Sequence, residues 1–419
     1  MVFLHPIFTF LFVFMAVSSY LELYVLKKKT PFFLIVSGVA LIILAGFRYF
    51  VGADYPIYRN LYIGFSLYID YSDVFKKAIF QPSKEQIEWI YVLLNKVLFD
   101  LGMPFYMVTF MMVLMSVSLK FTTIYQNSPL PVLGAMMYFM PLFFFEDSGQ
   151  IRQGMGVAVC VFSFRYIKER NLPMFILMMY IALGFHKTAV VFFPAYWIVK
   201  IPMNSTRILT VIIIAILLSP FEVFRIFGSL IESVGSQDVS DGYSGYVDDS
   251  QFGQSVAFGL SDIVKVFFIY VLVKYDKEGC KEVYYYEYMR NLAVFGLFLF
   301  YIFRGNRIFA IRLPGAYMFF MSVFVVPSVI YAVRFKVQKT LYSGFMWIII
   351  VIVVIIVVFV SFNSDRNSQV RKGDSEGGMR KKYTELIDYL CGNKGNILRQ
   401  TGSSITIGAS SIGGTTQLS

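Results

Sequence analysis

The sequence predicts an all-α, polytopic integral membrane protein, and three observations carry that prediction. Hydrophobic residues fill 57% of the 419 positions and charged residues only 15%, with a mean hydropathy of +0.65, a composition outside the range of water-soluble domains. Apolar runs approaching the roughly 20 residues that cross a bilayer recur along the chain, enough for about twelve transmembrane helices. Clusters of Lys and Arg separate alternate pairs of these runs, as expected of short cytoplasmic loops.

Taken in order, the first run, residues 2–26, lacks a basic leader and a small-residue cleavage site and stops at Lys27, Lys28 and Lys29. It reads as a retained span and not as a signal peptide. The runs at 31–50, 104–125, 129–145, 151–167, 172–185, 188–201, 208–227, 255–273, 291–303, 313–333 and 341–362 follow. Several hold about 14 apolar residues, which fits tilted, extended or re-entrant segments better than straight spans. The basic loops at 27–29, 165–170, 200–207, 274–290 and 334–339 go to the cytoplasmic side. The loops at 51–83, 146–150, around His186, 222–254 and 304–307 then go outside. The stretch 88–101 carries Asn95, Lys96 and Asp100 within an apolar pattern, and reads as an amphipathic interfacial or re-entrant helix.

The membrane domain is thus expected to occupy 1–362, and 363–419 a polar tail. From Gly402 the tail is low in complexity, with nothing periodic to bury. Parity sends it outside, although Arg371, Lys372, Arg380, Lys381 and Lys382 favour the inside.

Charge and rare residues exclude several classes of function. Thirty-seven basic against 26 acidic residues give +11, but no basic stretch belongs to a soluble nucleic-acid fold, so the excess reads as topology and attraction to anionic lipid. Nucleic acid is not an expected partner. Cys160, Cys280 and Cys391 are far apart, and His5 and His186 are the only histidines. No metal-ligand spacing results, and no metal or other cofactor is expected.

The residues that could carry chemistry gather on the predicted outer face. Arg48 ends the second run, with Asp54 and Tyr58 just beyond; Gly52 and Pro56 turn the chain back toward the membrane, which would bring Asp54 to Arg48. A plain alternative is an arginine snorkelling beside a tyrosine belt. Arg152 and Gln153 open the run after the 146–150 loop, where a helix N-terminus and a guanidinium suit an anion such as a diphosphate; alternatively Arg152 pairs with Glu146 or Asp147. His186 and Lys187 interrupt two short apolar runs. A histidine there suits proton transfer from a hydroxyl, or simply a hydrogen-bonded turn. Arg304, Arg307 and Arg312 crowd one outer turn against the positive-inside trend, which an anionic headgroup or the acidic 222–254 loop would explain. That loop contains Tyr243 and Tyr246 among Asp238, Asp241, Asp248 and Asp249, a composition able to stack on sugar rings and act as a lid, or merely to be solvated.

Three of these motifs resemble a known pattern when taken in order: Gly46-Phe-Arg48 with Val51-Gly-Ala-Asp-Tyr55 and Tyr58, then Ile151-Arg-Gln153, then Phe185-His-Lys-Thr-Ala189. Together they resemble the EpsG family of Wzy-type polysaccharide polymerases, over about residues 1–339, with 307–312 similar as well. The resemblance implies a multi-pass enzyme of the bacterial inner membrane. It would join oligosaccharide repeat units carried on undecaprenyl diphosphate at the periplasmic face, in O-antigen or exopolysaccharide synthesis. A chain-length regulator and a flippase of the same pathway are implied partners, and neither nucleotide sugar nor metal is implied.

The residues agree with that chemistry, since a diphosphate leaving group needs arginine and an acceptor hydroxyl gains from a base. The expectation is an outer-face cavity in which Arg48, Arg152, Arg304, Arg307 and Arg312 hold diphosphates. Tyr58, Gln153, Lys187, Tyr243 and Tyr246 would contact substrate, with His186 or Asp54 as base. A flippase for the same lipid-linked saccharide is the rival, and would show polar residues at mid-span depth.

Overall fold

The computed structural model describes residues 6–48, 54–81, 87–221, 255–256 and 259–337, and among these every regular element is helical. Three helices are long and apolar enough to cross a membrane, Pro6–Leu26, Phe105–Asn127 and Gly315–Arg334, and Pro31–Gly46, Pro131–Phe143, Leu172–Phe185 and Ser205–Phe221 are shorter apolar helices. Each falls on one of the predicted runs, so the chain has the character of a membrane protein. The run 341–362, the 363–419 tail and the 222–254 loop with Tyr243 and Tyr246 lie outside the described residues.

Helix α1 (Pro6–Tyr20) continues into a π-helical turn, Leu21–Leu26, and stops where Lys27 takes a left-handed φ of 51°. Within that turn Glu22 is buried. Its Oε1 accepts from Thr30 N at 2.9 Å and its Oε2 from Val132 N at 3.3 Å. These amides belong to the starts of α2 (Pro31–Gly46) and α7 (Pro131–Met137), both of which open with proline. One carboxylate thus satisfies donors that two helix N-termini would leave unpaired, and ties three helices together.

The predicted outer loop 51–83 is largely helical, forming α3 (Tyr55–Tyr68) and α4 (Tyr71–Ala78), and 88–101 forms α5 (Trp89–Asp100). Helix α5 packs on α3, α4 and α10 (Leu172–Phe185), through Tyr91, Val92 and Leu98. Helix α6 (Phe105–Asn127) is central, packing on α2 along one side and on α8 (Ile151–Phe162) along another. After α8 comes the short α9 (Phe164–Glu169).

The predicted span 188–201 is not a continuous helix. It is a 3-10 segment, Lys187–Phe192, followed by the single turn α11 (Ala195–Ile198). Pro194 lacks the amide needed to continue the helical hydrogen bonding, and the β-branched pair Val190-Val191 weakens what precedes it. This break leaves the chain at His186 in extended conformation, φ −159° and ψ 128°.

The remaining described elements are α12 (Ser205–Leu218), α13 (Leu260–Lys274), α14 (Asp276–Glu282), α15 (Tyr286–Ile302), α16 (Arg307–Arg312), α17 (Gly315–Phe319), a π-helical stretch Phe320–Val325 and α18 (Val326–Val337). Fully buried aromatic rings fill the interior: Tyr317 lies 5.0 Å from Phe192, and Phe320 5.0 Å from Phe164. Backbones also approach closely. A Cβ at Gly134 on α7 would stand 2.8 Å from the Val323 carbonyl oxygen, so only glycine admits that contact. This packing fixes α8 and the 186–192 segment against α17.

Candidate functional site

The local sequence Ile151-Arg-Gln-Gly-Met-Gly156 opens α8, and its glycines decide what can sit beside it. A Cβ at Gly154 would lie 2.8 Å from the Glu146 carbonyl oxygen and 3.2 Å from Asp147 Oδ1; one at Gly156 would lie 3.3 Å from His186 Cβ. The 146–150 turn and the His186 segment therefore approach opposite parts of one small-residue surface, bringing three separate motifs to the same end of α8.

Arg152 does not pair with Glu146 or Asp147. Its Nη1 donates to Glu88 Oε2 at 2.6 Å, and its guanidinium lies 5.7 Å from the centroids of both the Tyr58 and Tyr91 rings. Tyr58 and Tyr91 meet edge to face at 5.9 Å, forming an aromatic cradle for the cation. The other oxygen, Glu88 Oε1, accepts from the Lys187 backbone N at 3.1 Å. Burial alone would raise the Glu88 carboxyl, but Arg152, His186 and the backbone amides outweigh it and hold the group below the ordinary glutamate value.

His186 is buried and forms the N-cap of the 187–192 turn. Its Nδ1 accepts from Thr188 N at 3.2 Å and lies 2.8 Å from Thr188 Oγ1. A backbone amide can only donate, so Nδ1 carries a lone pair, and the tautomer assigned by this contact has its proton on Nε2. Burial pushes the imidazole down to about 4, with Arg152, Arg312 and Lys187 acting in the same direction and Glu88 against them. At neutral pH the ring is uncharged. Arg312 acts electrostatically on both His186 and Tyr58, and its carbonyl oxygen accepts from Gln153 Nε2 at 3.4 Å.

Arg48 reaches the same end of the bundle from α2. Its Nη1 donates to the Asp147 carbonyl oxygen at 2.9 Å, and Asp147, Asp54, Tyr55 and Tyr58 all act on it electrostatically. Asp54 is half-buried at the start of α3, its carbonyl oxygen accepting from Tyr58 N at 3.0 Å. Arg48 Nε and Nη2, Arg152 Nε and Gln153 Oε1 are buried with no hydrogen-bond partner among the described residues. Buried polar atoms are rarely left so.

Glu146 and Asp147 serve another cation, Lys120 of α6, which is fully buried. Lys120 Nζ donates to Glu146 Oε2 at 2.8 Å and to Asp147 Oδ2 at 2.5 Å, and Tyr138 OH donates to Asp147 Oδ2 at 2.5 Å. Ser116 Oγ also donates to Asp147 Oδ1. This network fixes the turn whose carbonyl holds Arg48.

The three late arginines part company. Arg304 donates from Nη1 and Nη2 to the two Asp262 oxygens at 2.7 and 3.0 Å, and from Nε to the Val256 carbonyl at 2.8 Å. Residues 303–306 turn, and Asn306 caps α16 by accepting from Ile308 N and Phe309 N. Exposed Arg307 starts that helix and half-buried Arg312 ends it toward His186. Lys187 extends its side chain outward and contributes its backbone amide to the site. No group of three or more metal-ligating side chains occurs among the described residues.

Glu88 and Tyr91 are the members of this cluster that local sequence reading passes over. Their signal is faint: a glutamate immediately before an apolar helix, meeting an arginine 64 residues away.

No curated protein and no solved structure matches the chain. A family model does match, over residues 30–370, which covers the Arg48, Arg152 and His186 motifs and runs on past Lys339 through the 341–362 run. The chain belongs to the EpsG family.

Proposed function

We propose that this protein polymerises oligosaccharide repeat units carried on undecaprenyl diphosphate, at the periplasmic face of the bacterial inner membrane. Family membership points to an exopolysaccharide or O-antigen polymerase type of function. One observation carries the finer reading: Arg48 and Arg152, buried at one end of the bundle, keep donor groups without a protein partner among the described residues. Guanidinium N–H groups held in a low-dielectric setting are suited to an anion, and the charge that grows on a departing diphosphate is such an anion.

In this reading Arg152, Arg48 and Arg312 receive the diphosphate, with Arg307 at the rim and Arg304 bracing the 303–306 turn through Asp262. Tyr58 and Gln153 line the site, Lys187 shapes it through its backbone, and Tyr243 and Tyr246 reach the sugars from the 222–254 loop. The acceptor hydroxyl attacks the anomeric carbon of the growing chain as its bond to the diphosphate breaks. The bilayer holds the polyprenyl tails, and a flippase and a chain-length regulator act beside the enzyme. The chemistry requires no metal or nucleotide sugar.

Lys120, fully buried within a 23-residue span, is the observation that favours a flippase, because transporters place charge at depth. Its ionic cluster is closed, however: Lys120, Glu146 and Asp147 side chains are 0%, 9% and 1% exposed, which offers no path for a saccharide.

The deciding experiment uses purified full-length protein in nanodiscs with the undecaprenyl-diphosphate-linked repeat unit extracted from cells lacking this protein. Longer lipid-linked chains, made without nucleotide sugar and abolished by Arg152→Ala, support the polymerase. Transbilayer movement in liposomes without lengthening would establish the flippase instead.

A further inference from the structure

The local geometry bears on which group takes the proton from the acceptor hydroxyl. A general base needs a lone pair directed at the hydroxyl. His186 has one available nitrogen lone pair in its neutral form, and the geometry assigns it: Nδ1 accepts the Thr188 amide at 3.2 Å, with Thr188 Oγ1 at 2.8 Å beside it. The remaining ring nitrogen, Nε2, then bears hydrogen and donates. Freeing Nδ1 would uncap the 187–192 turn and strand a backbone N–H. Beside this ring stands a carboxylate whose two oxygens keep further lone pairs after accepting from Arg152 Nη1 and the Lys187 amide. Glu88 is 7% exposed, and it faces Arg152 of α8 and His186 and Lys187 of the turn after α10, while Tyr91 of its own helix and Tyr58 of α3 hold their rings against the same Arg152.

We propose that Glu88 is the general base of the polymerisation and that His186 acts as a hydrogen-bond donor through Nε2–H. This inference rests on the polymerase reading. In the step, the acceptor hydroxyl oxygen forms its bond to the anomeric carbon and its proton passes to a Glu88 carboxylate oxygen. The anomeric carbon–oxygen bond to the diphosphate breaks, and the electron pair leaves with the polyprenyl diphosphate, whose charge Arg152 and Arg312 meet. Glu88 then returns the proton to solvent, and the product diphosphate bears the balancing charge.

The Arg152–Glu88 contact adds an ordering. The guanidinium that masks Glu88 Oε2 at 2.6 Å is the one that binds the diphosphate. Donor binding therefore draws Arg152 away from the carboxylate and exposes the base only when there is a bond to break.

The test measures chain-lengthening rates of the full-length protein in nanodiscs, with the extracted lipid-linked repeat unit, across pH 4.5 to 8.5. Wild type should lose kcat as pH falls, because the base works deprotonated and, once the diphosphate has drawn Arg152 away, burial raises the Glu88 carboxyl into this range. Glu88→Gln keeps one acceptor oxygen, enough for Arg152 or for the Lys187 amide but not for both, and should lower kcat by about 10²- to 10⁴-fold with the acid limb gone. His186→Asn preserves a cap acceptor and an N–H donor; it should be slowed no more than about tenfold and keep the acid limb.

Glu88→Gln retaining its rate and acid limb would overturn the assignment, as would His186→Asn losing the limb or Asp54→Asn removing it while Glu88→Gln does not. If Glu88→Gln does not purify as a folded species, the His186→Asn and Asp54→Asn profiles decide. A wild-type protein that binds the lipid-linked unit and never lengthens it removes the polymerase reading itself.

Discussion

Replacing Lys120 by methionine tests the logic of the buried network most sharply. Methionine matches the lysine stem in length, so the change removes a charge from the interior and little volume. Glu146 and Asp147 lose the cation at 2.8 and 2.5 Å, and breaking a buried pair by removing one partner costs about 3–5 kcal/mol. That corresponds to a fall in Tm on the order of 5–10 °C in a chain of this size.

The loss should also depend on pH with a defined sign. Burial already raises the Glu146 carboxyl to about 7, with Asp147 adding to the rise and Lys120 opposing it. A carboxyl raised on folding contributes stability that is full below the ordinary carboxylate range and disappears as pH rises through the folded value. Removing Lys120 lifts the opposition and moves that window above 7. Lys120→Met should then lose up to about 1.4 kcal/mol more per pH unit above pH 7 than wild type does, and lose at a similar rate just above pH 6. Thermal unfolding in detergent, followed by size-exclusion recovery at pH 6, 7 and 8, measures both effects. Adding Glu146→Gln and Asp147→Asn to the variant should restore more than half of the lost stability, since no charge is then stranded. A Lys120→Met protein within about 1 kcal/mol of wild type, or a pH-independent loss that the triple variant fails to repair, would refute this account.

Three further outcomes are expected. Arg304→Ala should destabilise by about 3 kcal/mol because Asp262 is left without its bidentate partner; the Arg304→Ala/Asp262→Ala double variant should recover most of this, and a change confined to substrate KM would instead make Arg304 a ligand of the substrate. Gly156→Ala places a methyl group 3.3 Å from His186 Cβ, so kcat should fall about tenfold through displacement of the ring while expression and Tm hold; an unchanged kcat would separate His186 from the chemistry. Arg152→Ala should leave single repeat units with no long-chain ladder on a gel, and a normal ladder at normal expression would remove Arg152 from the site.

Local sequence made much of the fold legible, and the reasons differ by element. Runs such as 172–185 announce themselves because proline at the start and an uninterrupted apolar stretch leave a helix as the only way to satisfy the backbone in lipid. The span expected at 188–201 misleads because composition is apolar throughout, while Pro194 and the His186 cap act on hydrogen bonding, to which hydropathy is blind. In the site, Arg48, Arg152 and His186 stand out as polar residues at the edges of apolar runs. Their partners do not. Arg152 could pair with Glu146 six residues away, and the sequence offers no reason for it to choose Glu88 instead; Asp147 backbone meets Arg48 across 99 positions. Lys120, a lone charge inside an apolar helix, is passed over by a reading that follows the edges of apolar runs, although a bilayer does not tolerate such a residue without a partner.

That same lysine bears on how the chain enters the membrane. A lysine near the middle of an isolated spanning helix raises the insertion free energy by about 2.5–3.5 kcal/mol. The carboxylates that neutralise it follow 26 and 27 residues later, beyond the next apolar helix, Pro131–Phe143. Phe105–Asn127 is therefore synthesised before its counter-ions exist. Biogenesis should favour insertion of the two helices as a hairpin, with the second segment held beside the first until the 146–147 turn has been translated.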